Sequence, residues 1–242
     1  MTIMTTAFYR QTELDRTNWP EFRDQVQAFA ANSAVNSPRG YPSYPRWPLG
    51  RCRPRLWPAL ESTLVSRRCA PVLSTALAPR LQLSRLLQFS HGINGDQGRG
   101  PTPSAGGLQA LELYLVNLTQ GWLPRGLYHY GRGEHCLAQI AAGAERDAWA
   151  TMVPSLNLVA GGSLVWVLVG DGARVAEKYG ERGLRFLLLE AGHLMQNLCL
   201  MSQRLGFSTV PLGGFFEHDI ARAFLLPADD LVLYLGVCGR PK

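Results

Sequence analysis

Paired cysteines are missing from this chain. Its five cysteines, Cys52, Cys69, Cys136, Cys199 and Cys238, are scattered with no CxxC or CxxxC spacing. That excludes a zinc knot and a redox dithiol as sequence motifs, and the odd count points to reduced thiols. The histidines, among them His91, His129, His135 and His193, form no HxH or HxxxH pair, so no metal site is expected. Ser104 lacks the GxSxG context of a nucleophile elbow, and GDGAR at 170–174 is a turn, since GxxxxGK[ST] is absent. There is no internal repeat. The longest uncharged apolar run, Leu156 to Gly170, is too short for a membrane helix and has glycines at its centre, so it reads as a buried strand. The N-terminus, MTIMTTAFYRQTELDR, has acids early and no apolar h-region, so a cytoplasmic, membrane-free protein is expected.

What is present is enough for one large domain or two small ones: 242 residues, 46% hydrophobic and 17% charged. Lys and Arg number 24 against 18 Asp and Glu, a formal net charge of +6. Part of the excess is local, because Arg39, Arg46, Arg51, Arg53 and Arg55 occur without an acid between them. Such a run attracts nucleic acid or an acidic leader peptide. The interleaved residues are mostly prolines and no nucleic-acid motif accompanies them, so nucleic acid is not the expected partner. Residues 1–60 differ from the rest. Asn18 to Phe29 is predicted to be a helix with Pro20 near its start. Asn36 to Pro58 mixes Pro38, Pro42, Pro45, Pro48, Pro54 and Pro58 with Tyr41, Tyr44, Trp47 and Trp57. That composition predicts an arm without regular structure that packs on the body or on a second subunit.

Residues 61–242 read as the globular domain. Leu60–Arg67 and Leu83–His91 are predicted helices, the second closed by Gly92. Strands are predicted at 112–118, 126–130, 136–140, 163–169, 209–212 and 231–237, with helices over 145–152 and 217–224. The strongest helix runs from about Arg182 to Leu205, with Leu184, Leu188, Ala191, Met195, Leu198 and Met201 at helical spacing and Gly206 at its end. No βαβ rhythm is present, so the expected class is α+β rather than a Rossmann fold.

Two turns of small residues flank that helix. Pro101, Pro103, Ser104, Ala105, Gly106 and Gly107 lead into the strand at 112–118, and Thr209 to Phe216 (TVPLGGFF) follows the helix. Backbone this small lets a flat ligand lie against main-chain amides, although either turn taken alone reads better as an ordinary tight turn. Arg67, Arg68 and Arg240 are candidate phosphate forks. Lys178 and Tyr179, placed on a loop after the strand at 163–169, are candidates for proton transfer, since burial or a neighbouring cation shifts such groups.

In order along the chain, Ser66-Arg67-Arg68, Pro103-Ser104-Ala105-Gly106-Gly107 with LELYLV, Gly126-Leu127-Tyr128-His129-Tyr130, EKYGERGLRFLLLEAGHLMQNL, LGFSTVPLGGFF and YLGVCGRP resemble the SagB-type dehydrogenases. These form the branch of the FMN-dependent nitroreductase-like superfamily that includes the azoline oxidases of thiazole/oxazole-modified peptide biosynthesis. The resemblance covers about residues 64–241. It implies a mixed sheet flanked by helices around a long central helix, and an intertwined homodimer with FMN at the interface. It implies flavin contacts from Arg67, Arg68, Cys69, Pro103, Ser104, Ala105, Gly106, Gln196, Gly213, Gly214 and Arg240, those of the Ser104 turn commonly from the partner subunit. Lys178 and Tyr179 match the pair implicated in catalysis. Two departures stand out: Cys69 replaces a serine after the paired arginines, and Leu108-Gln109-Ala110 lacks the aromatic that often follows the double glycine.

The resemblance implies oxidation of a thiazoline or oxazoline to the azole, with Tyr179 as base, Lys178 lowering its pKa, and dioxygen reoxidising the flavin. The opposite split of roles between the two residues stays open. The substrate can be peptide-borne, carrier-bound or a free small molecule. Two alternatives belong to other classes: an NAD(P)H-dependent nitro, quinone or enone reductase, and a non-catalytic scaffold that uses the basic arm.

Overall fold

The computed structural model describes residues 12, 17–32, 39–53, 60–94 and 98–242. Helix α1 (Trp19–Asn32) and strand β1 (Arg46–Pro48) come first. They are followed by α2 (Leu60–Ser66), α3 (Arg80–His91), β2 (Leu111–Asn117), β3 (Gly126–Gly131), β4 (Cys136–Ala142) and α4 (Arg146–Met152). Then come β5 (Leu164–Asp171), α5 (Gly172–Tyr179), α6 (Gly183–Arg204), β6 (Ser208–Leu212), α7 (Glu217–Ala223) and β7 (Asp230–Gly239). The strands form one sheet in the order β1-β4-β3-β2-β5-β7-β6. Every ladder is antiparallel. The α+β class is as expected, and the implied mixing of strand directions is confined to one isolated parallel bridge, Val72 with Ala160.

The central strands are buried on both faces, and their alternation sorts side chains into two layers. Leu111, Leu113, Leu115, Trp166 and Leu168 pack with α3 and α6. Tyr114, Val116, Val165, Val167 and Val169 pack with Trp149 of α4 and with Ile220 and Phe224 of α7 and its end. Helix α6 buries Leu187, Glu190, Ala191, Leu194, Met195, Leu198 and Ser202. The expected stripe is therefore rotated in its first half: Leu188 is exposed and Glu190 lies inside. A charged residue on the inner face defeats a reading based on apolar periodicity alone. Gly206 (φ +77°) closes the helix as predicted, where a left-handed residue suits glycine.

The proline-rich segment is more regular than its composition indicates. Arg46, Trp47 and Pro48 pair with Ala138, Leu137 and Cys136 as an edge strand, a position that tolerates proline. Nor is the arginine run an open basic patch. Arg39 binds Asp230 at 2.5 and 3.1 Å and Tyr114 Oη at 3.2 Å, while Arg46 binds Glu134 at 2.9 Å. Arg51 donates to the carbonyls of Ile93 and Gly133. The acids that neutralise the run come from distant sequence. Arg55, Pro38, Pro54, Pro58 and Trp57 lie outside the described residues.

Candidate functional site

Residues Ala105–Gly107 form one turn of 3₁₀ helix whose middle residue, Gly106, has φ +54°. The turn is anchored from beneath. Ser104 Oγ accepts the Gln109 amide at 2.7 Å, and beneath it lies the buried Glu190 carboxyl, facing the Ser104 hydroxyl and the backbone of Ala105 and Leu111, with its Oε1 unpartnered among the described residues. Burial pushes the Glu190 carboxyl up to about 7, against the nearby Ser104 hydroxyl and Arg132 charge. Arg132 is itself buried, donates to the His91 carbonyl at 2.8 Å, and binds the Gln109 side chain. Neither Glu190, Gln109 nor Arg132 was a sequence candidate. The detectable signal was the acid interrupting the apolar face of α6.

Above the turn sit Lys178 and Tyr179. They were expected on a loop and instead occupy the last turn of α5, whose N-cap Asp171 accepts the Arg174 amide at 3.0 Å. Lys178 Nζ donates to the Gly106 carbonyl at 3.4 Å. A methyl group added to Gly106 would collide with both Tyr179 Oη and Lys178 Nζ, so the three groups converge on one point. Tyr179 is 8% exposed, with its ring 4.8 Å from Phe186 in an edge arrangement. Burial pushes the Tyr179 phenol up, and Lys178 Nζ lies over its ring, 5.2 Å from the centroid.

The second turn forms one wall of an open cleft of about 690 Å³ that Cys69, Ala70, Ser155, Leu158, Gly213 and Gly214 help to line. Ser155 pins the Gly214 carbonyl from its Oγ at 2.8 Å. A methyl on Gly213 would meet nothing within 4 Å, so this wall is bare backbone. Arg67 Nη1 lies 3.9 Å from Cys69 Sγ, Arg68 donates to Ser66 O, and Arg240 lies over the Phe207 ring at 4.9 Å and donates to Gln82. Ser208 Oγ donates to the Arg68 carbonyl beside Phe207, so Arg68 and Arg240 flank the start of β6. Among the described residues none of these three guanidinium groups has a carboxylate partner, in contrast to Arg39 and Arg46. Cations left unpaired beside a small-residue cleft suit an anionic ligand such as a flavin phosphate.

Within one chain the two turns are apart. Glu190 marks the Ser104 turn on α6, and Cys199, whose Sγ shares the Thr209 carbonyl with Cys69, marks the cleft. Nine helical steps separate them, about 14 Å at the α-helical rise. Pro103 is exposed beside its turn. Gln196 is also exposed, and it joins neither the Lys178–Tyr179 group nor the cleft. Its neighbour Asn197 instead reaches the carbonyls of Ser90 and Pro101. No group of His, Cys, Asp or Glu suited to a metal ion occurs among the described residues.

Comparison with known proteins agrees with this architecture. The Nitroreductase family matches residues 67–240. The chain belongs to the nitroreductase family, and it is an oxidoreductase of that family. It is 28% identical over 181 residues to a Methanocaldococcus jannaschii protein that carries the nitroreductase name, covering 75% of this chain and 90% of that one. It is 26% identical over 135 residues to the microcin B17-processing protein McbC of Escherichia coli, covering 53% of this chain and 49% of that one. A Ralstonia eutropha structure that carries the nitroreductase name superposes with a TM-score of 0.73 at 24% identity, covering 87% and 96%. The E. coli microcin synthetase McbBCD complex with truncated pro-MccB17 bound gives a TM-score of 0.63 at 17% identity, covering 98% and 86%. Among the described residues no helix is long and apolar enough to cross a membrane.

Proposed function

We propose that this chain is an FMN-dependent oxidase of azolines, converting a thiazoline or oxazoline to the aromatic azole in natural-product or modified-peptide biosynthesis. The observation that carries the reading is the convergence of Gly106, Lys178 and Tyr179 on one point in a chain that also holds a glycine-walled cleft with unpaired arginines. The similarity to McbC, a processing protein for microcin B17, favours a heterocycle-bearing peptide as substrate.

Arg67, Arg68 and Arg240 would hold the FMN phosphate and ring edge, with Cys69, Gly213 and Gly214 as the cleft wall. Pro103, Ser104, Ala105 and Gly106 would cover the ring from the partner subunit of a homodimer, which accounts for the separation of the two turns within one chain. Gln196, on the exposed face of α6, belongs to the same interface. Bound FMN supplies the two-electron acceptor, and dioxygen is the terminal oxidant. Tyr179, kept protonated by burial, donates a hydrogen bond and orients the azoline. Lys178, once it has given up a proton to become the free amine, would take the ring proton. Only Lys178 and Lys242 are lysines, against 22 arginines, so the chain uses arginine for charge generally and lysine at this point. Arginine does not give up its proton and lysine can, which suits Lys178 to proton transfer.

The test is Lys178→Arg in FMN-loaded protein with a thiazoline peptide. The variant keeps the charge and the yellow colour and loses roughly 10²–10⁴-fold in turnover, the usual cost of a lost general base. Full turnover in Lys178→Arg would refute the assignment. Reduction of a nitro, quinone or enone substrate by NAD(P)H is the second reading, favoured by the likeness to the M. jannaschii protein. Rapid bleaching of the bound flavin by NADPH alone, without azoline turnover, would select it.

A further inference from the structure

Helix α1 lies outside the stretch matched by the nitroreductase family, residues 67–240, yet it packs on the reactive pair. Phe22, Val26 and Phe29 recur at i, i+4 and i+7 and turn one face toward the body. Phe22 stacks on Tyr179 at 6.1 Å and 23°, opposite in role to Phe186, so the phenol ring is held by an aromatic from each of two helices. The Phe29 ring lies 5.3 Å from Lys178 Nζ, within cation–π range. Gln25 Nε2 donates to the carbonyls of Ala176 and Glu177 at 3.2 and 3.4 Å. Those belong to the last turn of α5, where the Ala176 carbonyl also accepts the Gly180 amide, so Gln25 ties α1 to the turn that bears the pair. Upstream, Arg185 donates to Thr12 Oγ1 at 2.5 Å and Arg182 binds the Thr12 carbonyl, a second tether.

We propose that α1 is a cap on the Lys178–Tyr179 pair, and that Phe22 and Phe29 are specificity-determining residues that admit only a group arriving from the Gly106 side. With Phe22 and Phe29 in place, bulk carried on the α1 side of the reacting ring collides with the cap. A flat ring presented past the exposed Gly106 does not. This rests on the reading that the pair acts on substrate, but the cover itself is measurable without turnover.

The two-lysine composition makes that measurement clean. FMN-loaded protein is treated with an N-hydroxysuccinimide acetate reagent, and acetylation of Lys178 is followed by peptide mass spectrometry with Lys242 as internal standard. The Phe22→Ala/Phe29→Ala variant raises the Lys178-to-Lys242 ratio severalfold. It also improves kcat/KM for thiazolines with a bulky substituent relative to small ones. Gln25→Ala, which leaves the aromatic packing intact, gives the same direction to a smaller extent and serves if the double variant does not fold. An unchanged acetylation ratio in folded variants overturns the cap. A raised ratio with unchanged size preference overturns the specificity role. Loss of azoline turnover with an intact acetylation response would count against the proposed chemistry and leave the cap standing.

Discussion

Replacing Gly106 with alanine separates the stability role of this turn from its role in chemistry. The backbone there has φ +54°, a conformation that costs an L-residue with a Cβ about 1–2 kcal/mol. The added methyl also meets the far ends of two side chains, Tyr179 Oη and Lys178 Nζ. Lys178 can swing away at little cost. Tyr179 cannot, because Phe22 and Phe186 hold its ring. The strained backbone and the forced shift of Tyr179, about 1–3 kcal/mol more, together cost the folded state about 2–5 kcal/mol, a fall in Tm of roughly 4–20 °C for a domain of this size. Turnover falls much further, about 10²-fold, since displacements near 1 Å at a reacting group have that effect. Thermal denaturation followed by dye fluorescence and steady-state oxidation of a thiazoline peptide are the two assays, run on FMN-loaded protein. A Tm loss in that range with undiminished turnover would refute the placement of Gly106 against the reactive pair. An unchanged Tm would refute the strained backbone.

Arg240→Met removes one charged hydrogen-bond donor from the proposed phosphate site, worth about 1.5–3 kcal/mol. FMN affinity, read by quenching of flavin fluorescence, falls roughly 10–100-fold, and an unchanged Kd removes Arg240 from the site. Glu190 titrates near 7 in the folded protein and at the ordinary carboxylate value when unfolded, so the native state holds the extra proton between those values. Its contribution is full at acid pH and is lost as pH rises toward about 7, by up to about 3 kcal/mol. Urea unfolding at pH 5 and pH 8 then shows a smaller loss for Glu190→Gln than for the unaltered protein, and parallel pH curves would refute the burial argument.

Much of this architecture follows from local sequence. Helix α6, strand β2 and strand β5 announce themselves because their burial imposes a period of 3.6 or an unbroken apolar run, and Gly92 and Gly206 close the helices they were expected to close. The small-residue turns at 103–107 and 213–214 were likewise readable, because few side chains there leave any alternative to exposed backbone. Helix α5 was missed because GDGAR reads as a turn, although Val175 and Tyr179 stand at i, i+4 on the buried face of its eight residues, GARVAEKY. The rest needed the tertiary structure. Arg39 finds Asp230 and Asp171 across the fold, so a run that looks basic along the chain is partly neutral in space. Glu190 lies inside beside Ser104 and the Arg132 charge, both brought from far along the chain. Tyr179 has a raised pKa because Phe22 and Phe186 exclude water from its phenol. Periodicity and capping are carried by neighbours along the chain, whereas solvation and charge pairing depend on residues that only folding brings together.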